Sequence, residues 1–443
     1  MKFRRTERTE RTARFLINLI LMAVLTGYFY HVWHTYYTRY VIYAFWGHVV
    51  YIALYAVSLI IFNSIYGGFD IGFSPTSDII FSQGLSLLFS NGLIFFIIWV
   101  VTKGEVRIQS QIGYYLVGLG IEIILNYLFN RLYFNVFPPK KTLMIYERED
   151  DSIYARILKY QADSYDIQKT VSYSDVIDHL KEYSDYQCIV AVGLYPEQKN
   201  RLAKSCYEMG KALYIVPGIY DVIMNSGKSV YLVDTPVFKV NNFGPSQLEK
   251  IVKRIFDIFF SLVFLILTSP ILLITAIAVK LQDGGPVFYR QTRLTQYGRP
   301  FQIIKFRSMR MDAEQDGKAR LAAEHDSRIT KVGAFIRSCR IDELPQLINI
   351  LKGDMSVVGP RPERPELVEQ IKQEVPEFDY RLGVKSGLTG YAQVYGKYNT
   401  RLKDKLLFDL IYIENFSLLL DIRIMFMTFK ILFKKESTEG VAE

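Results

Sequence analysis

Four apolar runs, near residues 15–33, 41–62, 79–101 and 111–134, set the first limit on the fold. Each has about the ~20 residues a helix needs to cross hydrocarbon. Residues 1–14 carry six Lys/Arg against Glu7 and Glu10, with no small-residue cleavage site after them. This end is expected to stay in place as a basic cytoplasmic segment, not to be removed as a signal peptide. Four crossings return the chain to the cytoplasmic side, where Arg131, Lys140 and Lys141 follow. The asymmetry is imperfect: Lys103 and Arg107 fall in a loop placed outside, and the loop at 63–78 has no Lys or Arg. Glu122 stands inside the fourth run and is expected to pair or snorkel rather than mark a transport path.

Half of the residues are hydrophobic and 15% aromatic, which suits a membrane protein with soluble parts. The net charge of +9 fits anionic lipid or phosphate, and no nucleic-acid module accompanies it, so nucleic acid is set aside. Cys188, Cys206 and Cys339 are few and widely spaced, so neither a disulfide framework nor a zinc site is indicated. The five histidines form no ligand cluster, and His31 and His34 are read as interfacial.

Residues 141–240 change rhythm. Strand-like runs at Thr142–Tyr146, Tyr186–Gly193 and Ala212–Pro217 alternate with helical patterns near 151–160, 174–183 and 196–209, which predicts a small doubly wound α/β domain. A dinucleotide site needs a glycine-rich turn after the first strand. Here that turn reads Glu147-Arg148-Glu149-Asp150, three acids and no glycine, so no dinucleotide is expected to bind. A further strand is predicted at Ser229–Val233.

A fifth apolar run opens at Lys253-Arg254-Ile255-Phe256-Asp257 and extends to about Val279. Pro270 falls in its middle, after Thr268 and Ser269, and frees the carbonyl of Ile266. Neighbouring hydroxyls re-satisfy such groups in lipid. Local residues leave two readings open, a kinked span or a helix that enters and leaves by one face.

The segment 337–362, RSCRIDELPQLINILKGDMSVVGPRP, carries the chemistry. Ile341, Leu344, Leu347, Ile348 and Leu351 describe a helix with one buried stripe, with Asp342, Glu343 and Pro345 in its first turn. A capping role explains an isolated Asp-Glu pair. It does not explain Arg337 and Arg340 before the pair, or Gly359-Pro360-Arg361-Pro362 after the helix. A diphosphate site uses all of them: a carboxylate to attack or bind metal, and guanidiniums to neutralise phosphate. Upstream, Gly284-Gly285-Pro286 and Gly298-Arg299-Pro300 are turns flanking strands that carry Arg290, Arg293, Lys305 and Arg307, candidates for phosphate contact. Residues 311–327 read as a mobile surface segment, and 408–433 as an amphipathic helix in the membrane interface, with a buried core helix as the alternative.

These motifs resemble the bacterial sugar transferases, the monotopic polyprenol-phosphate phosphoglycosyl transferases. The resemblance rests on Asp342-Glu343-Leu344-Pro345, Lys352-Gly353-Asp354-Met355-Ser356, Gly359 through Glu363, the strand Phe301–Met309 and the block Val384–Val394, and covers about residues 247–443. Ser327, Ser386 and Tyr391 depart from the family pattern, where Pro, Pro and Trp are usual. The resemblance implies transfer of a sugar-1-phosphate from a UDP-sugar to undecaprenyl phosphate, with Asp342 as nucleophile and magnesium ligand. Glu343 would position metal or move a proton. Arg361 between Pro360 and Pro362, with Arg337, Arg340, Lys305, Arg307, Gln393 and Asp409, would contact substrate; from spacing alone Asp409 is an ordinary surface acid. Lys253, Arg254, Asp257, Ser269 and Pro270 would form a re-entrant anchor, which keeps Asp342 on the cytoplasmic side with nucleotide sugars.

The expected fold is a membrane α plus α/β protein. It comprises a basic N-terminus (1–14), four transmembrane helices (15–136), a degenerate Rossmann-like α/β domain and linker (137–246) and a catalytic domain (247–443) whose Ser-Pro-broken re-entrant helix spans about 251–281. The expected setting is the bacterial inner membrane, with both soluble domains cytoplasmic and the chain as a homodimer. A glycosyltransferase releasing UDP, or a non-catalytic scaffold of polysaccharide assembly, are the competing readings.

Overall fold

A computed structural model describes residues 7–40, 45–147, 151–240, 244–311, 326, 328–396 and 400–432. Arg148, Glu149 and Asp150 of the acidic turn, most of 311–327 with Ser327, and the lysines after 432 lie outside the described residues. The chain divides into two compact units, Met1–Val216 and Pro217–Glu443.

The first unit opens with helices α1 (Glu7–Thr35), α2 (Phe45–Tyr66), α3 (Thr76–Val101) and α4 (Ile108–Val136), all of membrane-crossing length and apolarity, as the hydropathy pattern predicts. Their contact faces bury Leu21, Leu25, Phe29, Trp33, Tyr55, Leu59, Leu87 and Ile94. Glu122 neither snorkels nor pairs: it is fully buried, and neither carboxylate oxygen has a hydrogen-bond partner among the described residues. Asn126 of α4 donates to Gln83 of α3 at 2.6 Å, and Gln83 donates to the Gly68 carbonyl in the α2–α3 loop at 2.6 Å.

The α/β part follows as β1 (Lys140–Tyr146), α5 (Asp151–Gln161), β2 (Tyr165–Ser172), α6 (Tyr173–Val176), β3 (Cys188–Val192), α7 (Pro196–Glu208) and β4 (Ala212–Ile215). The strands form one parallel sheet in the order β2-β1-β3-β4. Both faces are covered. Leu143, Ile145 and Ile189 pack under Val176, Leu202 and Cys206, while Met144 and Val190 face Ile153 and Ile157. Strand β2 was not legible because it is an edge strand whose Asp166, Gln168, Lys169 and Thr170 remain exposed. Lys140 pairs with Glu10 of α1 at 2.8 Å, and Ser164 donates to the Gly72 carbonyl in the α2–α3 loop at 2.7 Å. The start of α1, the α2–α3 loop and the sheet therefore share one side of the bundle, as an even number of crossings requires.

The second unit begins with α8 (Ile219–Asn225) and a hairpin of β5 (Lys228–Leu232) and β6 (Thr235–Lys239). Helix α9 (Gln247–Asp283) opens on a capping box in which Glu249 donates its N–H to Ser246 and takes the Ser246 N–H in return. It is one helical element through Pro270, so the expected break is a missing backbone hydrogen bond within a helix rather than a gap between two helices. The carbonyl of Ile266, freed by the proline, accepts the Ser269 hydroxyl at 2.8 Å, and Thr268 bonds the Phe264 carbonyl.

Antiparallel strands β7 (Phe288–Leu294) and β8 (Pro300–Phe306) follow, then α10 (Lys331–Ser338), α11 (Gln346–Lys352), β9 (Ser356–Val358) and α12 (Pro365–Glu374). The unit closes with β10 (Gly387–Thr389), α13 (Tyr391–Tyr395), α14 (Leu402–Glu414) and α15 (Leu418–Leu432). The single amphipathic helix expected over 408–433 is thus two helices, broken where Ser417 accepts the Leu420 N–H as a new cap. Helix α14 is largely a core helix, with Leu406, Leu410, Tyr412 and Ile413 buried. Both ends of α9 rest on this same unit: Arg254 and Asp257 reach α11 and β9, and Asp283 pairs with Arg307 just past β8. The apolar face between them, including Phe259, Leu262, Ile266 and Leu267, is uncovered.

Candidate active site

The proline at 345 decides the local backbone. An α-helix over 341–351 would need the N–H of residue 345 to reach the Ile341 carbonyl, and proline has none. The Leu344 N–H takes that carbonyl instead at 3.1 Å, making Ile341–Glu343 a 3₁₀ turn, and α11 starts only at Gln346. The continuous helix read from the apolar stripe is corrected accordingly. Arg340, just before the turn, is left-handed at φ 54°, a conformation disfavoured for any residue with a Cβ. It forms the link between α10 and the turn that carries the two acids.

Glu343 is clamped. Lys305 of β8 donates to its Oε1 at 2.8 Å, and Arg361 donates to the same oxygen at 3.0 Å. Burial pushes the Glu343 carboxyl up, but the charges of Lys305, Arg361 and Arg340 outweigh it and hold the group well below the usual carboxylate range. A carboxylate fixed as an anion is a poor proton donor, so its geometry suits the holding of two cations.

Asp342 stands otherwise. It is 9% exposed, and its carboxylate has no hydrogen-bond or ion-pair partner among the described residues. Burial and the neighbouring Glu343 charge push it up to about 6, against the pull of Lys305, Arg337 and Arg361. The turn therefore presents one committed carboxylate and one free carboxylate, the free one within the field of three cations.

The remaining candidates separate by what they touch. Arg361 remains 43% exposed while bonded to Glu343, so part of its guanidinium faces water. The bracketing prolines are tied down: the Pro360 carbonyl accepts the Gly387 N–H at 2.9 Å, and Arg293 donates to the Pro362 carbonyl at 3.2 Å. Gly359 permits this approach, since a Cβ there would lie 2.3 Å from the Lys385 carbonyl oxygen. Arg307 is nearly buried and spends its guanidinium on Asp283 and the Pro286 carbonyl. Asp409 is not a surface acid. It is 1% exposed and accepts from Arg381 at 2.8 Å. Gln393 lies on α13 with its side-chain oxygen buried and unpartnered among the described residues. Arg254 caps α11 by donating to the carbonyls of Ile350 and Leu351, a cation at a helix C-terminus. Sequence reasoning missed Asn349, whose buried amide accepts the Ile304 N–H and donates to the Gln302 carbonyl. It fastens α11 to β8 and so places Lys305 opposite Glu343; it lies off the stripe read from the sequence, beside Ile350 on the face that is buried, so its spacing gave no signal.

Residues 248–435 match the bacterial sugar transferase family. The chain is 45% identical over 189 residues to a UDP-N-acetylgalactosamine-undecaprenyl-phosphate N-acetylgalactosaminephosphotransferase of Aeromonas hydrophila, covering 42% of this chain and 44% of that one. It is 36% identical over 262 residues to a UDP-glucose:undecaprenyl-phosphate glucose-1-phosphate transferase of Klebsiella pneumoniae, covering 58% and 56%. The uncharacterized sugar transferase EpsL of Bacillus subtilis is 39% identical over 193 residues, 91% of its length. The chain belongs to the bacterial sugar transferase family. It spans about half the length of the first two relatives.

Proposed function

We propose that this protein transfers a sugar-1-phosphate from a UDP-sugar to undecaprenyl phosphate and releases UMP. The observation that carries the reading is the Asp342 carboxylate, unpartnered among the described residues, beside a Glu343 already occupied by Lys305 and Arg361. An Asp342 oxygen attacks the sugar-proximal phosphorus, and the bond from that phosphorus to the bridging oxygen of UMP breaks. The acceptor phosphate then attacks the aspartyl phosphosugar, forms the polyprenyl diphosphosugar and returns the carboxylate. Neither step needs a proton at Glu343, whose part is to hold Lys305 and Arg361 toward the diphosphate.

Magnesium fits this donor set. Among the described residues no three metal-ligating side chains converge, but magnesium commonly takes one or two carboxylates and completes its shell with substrate phosphates and water. Asp342 is the residue that would hold it, and the ion would neutralise diphosphate charge.

In this reading α9 is the re-entrant anchor. A helix whose two ends rest on one domain while its middle exposes apolar side chains enters and leaves the bilayer by the same face. That seats Asp342 near the headgroup plane on the cytoplasmic side of a bacterial inner membrane. The test is product identity. Purified protein in lipid nanodiscs, given undecaprenyl phosphate and a panel of UDP-sugars including UDP-glucose, UDP-galactose and UDP-N-acetylgalactosamine, should release UMP with at least one donor. Release of UDP, or of no nucleotide with any donor, contradicts the proposal.

A further inference from the structure

Two arms of the site end on one turn of α9. Arg254 holds the carbonyls of Ile350 and Leu351 at 2.6 and 2.7 Å, at the end of the arm that bears Asp342 and Glu343. Asp257 accepts the Val357 N–H at 3.1 Å, on the arm that leads to Arg361. Beyond these lies a buried cluster the proposed chemistry does not use. Lys253 lies 3.2 Å from Asp257 and 2.7 Å from Asp421 of α15. The Tyr412 hydroxyl of α14 sits 2.9 Å from Asp421 Oδ1 and 3.1 Å from the Val358 carbonyl, and its one proton serves either acceptor. Asp257, Asp421 and Tyr412 are each at most 2% exposed.

Strand β9 has three residues and pairs with β10 on one side. Such a short pairing specifies register weakly by itself. Asp257 takes one polar group of β9, the Val357 N–H, and Tyr412 lies against the Val358 carbonyl one residue later. Buried charges contribute little net stability over well-packed apolar groups; their best-attested use is to specify one arrangement.

We propose that Asp421 and Tyr412 are positioning residues. Through Lys253, Asp257 and the Val358 carbonyl they fix β9, and with it Arg361, against the helix that also holds the Asp342 arm. This rests on the reading of Arg361 as a donor-phosphate ligand. In a two-step mechanism kcat/KM for the donor reports the first transfer and kcat/KM for the lipid reports the second, so misplacement of Arg361 should act mainly on the former.

The experiment compares wild type, Tyr412→Phe and Asp421→Leu in nanodiscs by steady-state kinetics and by hydrogen exchange with mass spectrometry. Tyr412→Phe is expected to lower kcat/KM for the UDP-sugar about tenfold, the scale of one lost buried hydrogen bond. It should leave kcat/KM for undecaprenyl phosphate within about twofold, since that step starts from the formed adduct. Exchange should quicken in peptides covering 356–362 and stay unchanged over 346–352. Asp421→Leu should act in the same direction and further; if it fails to fold, Tyr412→Phe carries the test alone. Equal losses for donor and lipid, or faster exchange with wild-type donor kinetics, overturn the proposal. Unchanged exchange at 356–362 overturns it whether or not the wild type is active. A wild type that releases no UMP removes the reaction, while the exchange result still decides whether the cluster holds β9.

Discussion

Two charged clusters of the second unit handle their charges in opposite ways. Around the 3₁₀ turn, the charges of Lys305, Arg337, Arg340 and Arg361 act on Asp342 or Glu343, and Asp342 has no hydrogen-bond or ion-pair partner among the described residues. At the root of α9, Lys253 pairs with Asp257 and Asp421, while Arg254 and Asp257 hold backbone groups of Ile350, Leu351 and Val357. The first cluster leaves one carboxylate open, which in the proposed function is the nucleophile beside cations that bind the diphosphate. The second is closed and acts as a frame. On the proposed function, the difference would separate residues that do chemistry from residues that hold them, although both sets sit in motifs of similar appearance.

That contrast is broken most readily at Asp342. Asp342→Asn removes the free carboxylate and should lower turnover by about three orders of magnitude or more, as loss of a nucleophile does; UMP release near the wild-type rate would erase the distinction. Arg361→Ala should cost about 10²-fold in kcat/KM for the UDP-sugar, the scale of a charged hydrogen bond to phosphate, measured at saturating lipid. Arg307→Gln tests the frame. It releases Asp283 and should lower stability by about 1–3 kcal/mol, read in a thermal melt, while KM for the UDP-sugar stays within about twofold. A large rise in KM would return Arg307 to the substrate contacts.

A further effect concerns pH. The Asp342 carboxyl, ordinarily near 3.8, is pushed up to about 6 in the folded protein by burial and Glu343. The native state then binds more protons than the unfolded state between these values, so stability falls as pH rises from about 4 to about 6. Without metal, the cost at neutral pH is at most about 3 kcal/mol, and Asp342→Asn should melt above wild type at pH 7 and level with it near pH 4. A lower melting temperature for the variant at pH 7 would place a hidden partner on Asp342.

The four apolar runs, the parallel sheet and the acid pair were legible because each has a local signature: length, alternation, or unusual chemistry in sequence. The turn at 341–343 was less so. The missing N–H of Pro345 was visible, but the left-handed Arg340 has no sequence mark. Burial of Asp409 depends on Arg381, which lies 28 residues away. Asp421 reads as one more polar residue on an amphipathic pattern until Lys253 and Tyr412 are brought to it by the fold. In the α/β domain only the apolar strands announced themselves, and the polar edge strand β2 did not. Asp409 and the Lys253–Asp421 pair depend on partners far along the chain, whereas Arg340 and β2 were missed because nothing local in the sequence marks them.

The most direct measurement is mass spectrometry of the purified protein quenched after brief exposure to its UDP-sugar without lipid acceptor. The account predicts that the peptide containing Asp342 gains the mass of one sugar phosphate, and that added undecaprenyl phosphate discharges it. Rapid UMP release on addition of lipid, with no adduct on Asp342 before or during turnover, would contradict it.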